Sequence, residues 1–150
     1  MGGASVPRLL TKSLLPKRPA LDESARNIIV SALRFALENR RIFVGAFVVM
    51  PDHWHILFAL REPWTLPRFM HDMMSFVGGR TQRQLNMNGT RWQDGYYDTL
   101  VRTGKQFGYV ADYIEQNPVA KGLVEQPEQW TASSAYRLDL ITDPWPYFYE

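Results

Sequence analysis

The sequence predicts an α+β sandwich in which helices cover one face of a mainly antiparallel sheet. Three observations carry that expectation. Apolar residues switch between strand-like and helix-like spacing in the order β, α, β, β, α, β, α. Two strongly apolar stretches abut at Met50-Pro51-Asp52, a connection short enough for an antiparallel hairpin but not for a parallel crossover. The 150 residues contain no internal repeat and no low-complexity linker, so residues 1–150 read as one domain, with 1–18 and 137–150 as flanking arms.

Each element has its own signal. Val6 to Leu15 is apolar enough for a short strand, stopped by Pro16 and the turn-like Lys17-Arg18-Pro19. Asp22 can cap a helix in which Ala25, Ile29, Ala32, Leu33, Ala36 and Leu37 recur at three- and four-residue steps. Arg41 to Met50 is β-branched and aromatic, and His53 to Leu60 follows the Pro51-Asp52 turn as a second strand. Pro67 opens a helical segment carrying Phe69, Met70, Met73, Met74 and Phe76, which Gly78-Gly79 is expected to interrupt. Beyond the loop Asn86 to Arg91, Tyr96 to Val101 reads as a strand. A third helix, Lys105 to Asn117, is expected to close at Asn117-Pro118, because the residue before proline avoids helical torsions.

Composition narrows the chemistry. The absence of cysteine removes disulfides, thiolate metal sites and cysteine nucleophiles, so any metal must sit on nitrogen and oxygen. A net charge of +2 with a pI of about 9.0 gives a mild bias toward anionic partners. Arg80, Arg83, Arg91, Arg102 and Lys105 are candidate phosphate contacts, although a solvated face is the default for such residues. No stretch is long and apolar enough to span a membrane and the first residues lack signal-peptide character, so a soluble, cytoplasmic protein with no membrane partner is expected.

The chemistry-bearing feature is His53-Trp54-His55. On a strand, alternate side chains share a face, so His53 and His55 point together and Trp54 points into the opposite layer. Two neighbouring imidazoles can bind one divalent ion, yet an isolated pair of this kind is more often structural. Its place directly after a turn favours the ligand reading, since a polar pair within a packed sheet is costly without partners. On the third helix, Tyr109, Tyr113 and Asn117 recur every four residues and form one stripe beside the apolar Phe107, Val110, Ala111 and Ile114. Spacing alone does not choose between Tyr109 and Tyr113, nor between a reactive and a merely packed tyrosine. His71 has no partner by spacing. Trp92 and Tyr97 could stack on bases; strand alternation sends Trp54 to the core.

Three segments carry a resemblance. Val48 to Leu57, VVMPDHWHIL, resembles the histidine-hydrophobic-histidine (HUH) motif of single-tyrosine transposases. YIEQNPVAKGLV, starting at Tyr113, resembles the downstream signature of the REP-associated tyrosine transposase branch, and RWQDGYYDTLVR at Arg91 to Arg102 resembles its connecting segment. The likeness runs from about Pro19 to Tyr136. Departures are confined to the first strand, which matches poorly, and to Ser75-Phe76, followed here by Val77 and Gly78-Gly79 where a basic residue is frequent.

The resemblance implies a ferredoxin-like fold and a DNA transposase. It implies that His53, His55 and Asn117 hold Mg²⁺ or Mn²⁺ and that Tyr113 is the nucleophile. Single-stranded or hairpin DNA would be cut and rejoined through a phosphotyrosine intermediate; for the assembly, the sequence leaves both a monomer and a homodimer open. The competing expectation is a domesticated protein that grips hairpin DNA without transferring strands.

Overall fold

The computed structural model describes residues 5–86, 91–143 and 145–147. The elements run β1 (Arg8–Ser13), α1 (Glu23–Glu38), β2 (Ile42–Val49), β3 (His53–Leu60), α2 (Leu66–Leu85), β4 (Tyr97–Leu100) and α3 (Gly104–Ala120). The four strands form one antiparallel sheet in the order β2-β3-β1-β4, the ferredoxin-like arrangement, with α3 added after β4. No described helix is long and apolar enough to cross a membrane.

The helices are distributed over both faces, which departs from the single covered face expected. α1 and α2 pack on the face that carries Trp54, Ile56 and Phe58, whereas α3 packs on the face that carries Ala46, Val48 and Leu57. The reason lies in β2 and β3 themselves. Both are apolar on successive residues, so both faces of this hairpin need cover. Contact between α3 and the sheet is close at Gly45, at the register shift between Val44 and Ala46: a Cβ there would lie 2.5 Å from the Phe107 ring.

Two helix boundaries differ from the sequence reading. α2 runs unbroken through Gly78-Gly79, because Val77 and Thr81 are buried on either side and the Thr81 hydroxyl donates to the Val77 carbonyl at 2.8 Å. Tertiary burial there outweighs the cost of about 1 kcal/mol per helical glycine. α3 continues past Pro118 to Ala120. Proline removes one amide donor, but the Lys121 N–H still donates to the Asn117 carbonyl at 3.0 Å, and the left-handed Gly122 (φ 72°) ends the helix instead.

The C-terminal segment closes the outer edge of β2. Val49 N–H donates to the Ala132 carbonyl (2.8 Å), Ser134 N–H to the Phe47 carbonyl (2.9 Å) and Thr142 N–H to the Val44 carbonyl (2.8 Å). An otherwise unpaired edge is thereby covered. The same strap reaches α3, where the Ser134 hydroxyl donates to the Glu115 carboxylate at 2.7 Å. Residues 137–143, part of the expected flanking arm, therefore belong to the packed unit.

Candidate active site

Strand register assembles the first half of the site. Ser13 pairs with His53, and Thr11 with His55, in the antiparallel β1–β3 ladder, and directly opposed residues share a face. Thr11, His53 and His55 thus face the α3 side, while Trp54 is fully buried among α1 and α2. The two imidazole centroids lie 4.7 Å apart. His53 Nδ1 sits 2.7 Å from Asp52 Oδ1, and His55 Nδ1 sits 2.8 Å from Thr11 Oγ1. Each ring is oriented through Nδ1, leaving Nε2 as the nitrogen that neither Asp52 nor Thr11 engages. Outer partners of this kind fix the tautomer of metal-binding histidines.

Burial pushes the His55 pKa down from 6.5 to about 4, with a smaller contribution from the neighbouring His53. His55 is therefore neutral at pH 7, the protonation state that can donate a lone pair. The shift has a thermodynamic consequence for the metal-free protein. In the unfolded chain His55 gains its proton near pH 6.5, but in the folded chain only near pH 4, so stability is full above 6.5 and falls as the pH drops through that window. Urea unfolding should show a loss of about 3 kcal/mol between those limits, and His55→Gln should flatten the slope. An unchanged slope in that variant would assign the dependence elsewhere.

The second half comes from α3, whose start is capped by the Thr103 hydroxyl accepting from Gln106 N–H at 3.1 Å. The Tyr113 ring lies 5.8 Å from the His55 ring, edge on. Tyr113 is 53% exposed, Tyr109 one turn earlier is 76% exposed, and Asn117 one turn later is 6% exposed. The expected stripe thus descends from solvent to interior, with Tyr113 at the level of the histidines. Among the described residues, no three His, Cys, Asp or Glu side chains are placed to share an ion. A metal here would draw on the two imidazoles and a neutral oxygen donor, and the Asn117 amide is of that type.

Thr11 and Asp52 were not singled out by the sequence. Asp52 carries a visible signal, a carboxylate adjacent to the first histidine, although its place after Pro51 marks it first as a turn residue. Thr11 has none, since only the β1–β3 register brings it to His55. The basic candidates scatter. Arg80 and Arg83 lie on α2, across the sheet from the histidines, with the Arg80 guanidinium over the Phe76 ring. Arg91 donates to the Pro19 carbonyl at 3.2 Å, near the histidine end of β1. Arg102 and Lys105 are exposed beside the start of α3. Trp92 packs against the core, His71 is exposed, and Tyr97 is 78% exposed. An apolar cleft of about 300 Å³ between α1 and α2 lies on the other face of the sheet, away from the histidines.

Similarity to known proteins converges on these elements. The family model described as Transposase IS200 like matches residues 14–117, from just after β1 to Asn117 in α3. A REP-associated tyrosine transposase of Escherichia coli strain K12 is 27% identical over 129 residues, covering 85% of this chain and 74% of the relative. Among solved structures, a REP-associated tyrosine transposase bound to a REP hairpin superposes with a TM-score of 0.74 at 20% identity, over 98% of this chain and 88% of that one. The last likeness speaks for the fold.

Proposed function

The chain belongs to the IS200-like transposase family, and from that premise we propose that it cuts and rejoins single-stranded DNA through a covalent bond to Tyr113. The observation that carries this reading is the Tyr113 ring 5.8 Å from His55, beside a histidine pair whose Nδ1 atoms are both engaged. His53, His55 and Tyr113 meet within one copy of the chain, and Asn117 lies one helical turn beyond Tyr113. The hairpin bound by the structural relative supports a hairpin-bearing strand as substrate.

In this reading the Tyr113 hydroxyl oxygen attacks phosphorus, and the O–P bond to tyrosine forms as the P–O3′ bond breaks. The phenolic proton leaves to solvent, which the exposure of Tyr113 allows, and the departing 3′ oxygen acquires one. A 3′ hydroxyl then attacks the phosphotyrosine and restores a phosphodiester, so no external energy source is needed. Mg²⁺ or Mn²⁺ held by His53, His55 and Asn117 would supply Lewis-acid neutralisation of the phosphate charge. Asp52 and Thr11 keep both imidazoles oriented, and α3 holds the tyrosine within reach, which is the positioning that attack on an anion requires.

The test is incubation of an end-labelled hairpin strand with the protein and Mn²⁺, followed by denaturing electrophoresis. A labelled protein–DNA adduct is expected, and its formation should cease with a chelator. Cleavage without an adduct, or an adduct indifferent to chelation, would overturn the corresponding half of the proposal.

A further inference from the structure

Beside α3 the sheet is half open. The helix packs on β2 and β3, while on that face β4 presents Tyr97 and Thr99 to solvent. Tyr97 pairs with Thr11, and Thr11 pairs with His55, so Tyr97, Thr11 and His55 form one row across three strands on one face. At one strand spacing per step, Tyr97 stands about 10 Å from His55 along that row. The opposite wall of this trough is the exposed flank of α3, with Tyr109 and Tyr113. Three of the most exposed aromatic side chains among the described residues therefore lie on the two elements, β4 and α3, that flank the histidine row.

We propose that this trough seats the single strand being cut, with Tyr97 as the platform on which a base near the scissile phosphate stacks. The inference rests on the reading of Tyr113 as nucleophile and extends it to a binding residue. β-propensity alone would account for a solvent-facing tyrosine on an edge strand. It does not account for the registration with His55, nor for the second exposed ring of Tyr109 across the trough. Charge fits the same occupant. At the end remote from the histidines, Arg102 leaves β4 and Lys105 opens α3, both exposed. Lys105 lies eight residues before Tyr113, about 12 Å along the helix. An aromatic floor that ends in cationic groups is the combination that holds a single strand by its bases and its phosphates. Because every base offers a π face, Tyr97 contributes affinity for the strand and little choice of sequence.

The experiment measures binding in a Tyr113→Phe background, so that cleavage does not intervene. Two probes are compared by fluorescence anisotropy: a DNA hairpin with a short single-stranded extension, and the same hairpin with blunt ends. 2-Aminopurine in the extension reports stacking. Adding Tyr97→Ala should weaken binding of the extended probe about tenfold, abolish the change in 2-aminopurine emission, and leave the blunt hairpin unaffected. Tyr97→Phe should restore both readouts, which separates stacking from any effect on the fold. Equal losses on the two probes, or binding of the extended probe within about twofold of the parent, would overturn the role of Tyr97 and leave the nucleophile assignment standing. Failure of the parent to bind either probe would instead remove the strand-transfer reading and this inference with it.

Discussion

Tyr113→Phe should reduce covalent adduct formation by at least about 10³-fold, the scale expected when a nucleophile is removed from a preassembled site. The substitution deletes one oxygen from a half-exposed ring and leaves the 5.8 Å ring contact with His55 available, so folding and metal binding should persist. Tyr109→Phe is the decisive control. Tyr109 shares the helix flank but sits one turn farther out, at 76% exposure, and its ring is not placed against the histidines. Adduct formation by the Tyr109 variant should stay within about threefold of the parent. Retention of the adduct in Tyr113→Phe, with loss in Tyr109→Phe, would exchange their roles.

The second large effect concerns the imidazoles. His55→Ala removes a buried, neutral ring that Thr11 orients at 2.8 Å, and it should cost Mn²⁺ binding and cleavage at least about 100-fold. His53→Ala should do the same. Thr11→Val separates ligand from orientation: it preserves shape and removes the hydroxyl, and should weaken the metal about 10- to 100-fold while the fold is kept. Calorimetric titration of Mn²⁺, with circular dichroism as the check on folding, measures all three. Thr11→Val with parental affinity would leave the Thr11 contact without a role in the site.

Much of the architecture was legible because it is local. Helical periodicity, apolar and β-branched runs and turn residues together located all seven main elements, Asp22 caps α1 as expected by accepting from Ala25 N–H at 2.9 Å, and the Pro51-Asp52 turn joins β2 to β3. The errors came where burial overrode a local breaker. Gly78-Gly79 stays helical because its neighbours are packed, and Pro118 stays helical because one missing donor does not stop a helix whose next turn is closed by Lys121. The two-sided cover of the sheet was also foreshadowed: β2 and β3 are continuous apolar runs and do not alternate, a pattern that asks for helices on both faces.

For the site, the sequence by itself determined that His53 and His55 share a face, that Trp54 does not, and that Tyr113 and Asn117 lie on one helical stripe with Tyr109. Those facts follow from the periods of strand and helix, which need no partner. Only the tertiary structure decided that α3 lies over the histidine face, that Tyr113 meets His55, that Thr11 holds His55 and that Tyr97 joins the same row. Each of these depends on register or packing between segments distant in the chain, and the energy that fixes them is shared among burial, ladder pairing and the C-terminal strap. A one-residue slip of β1 against β3 would turn Thr11 to the other face and leave every local pattern in the sequence unchanged.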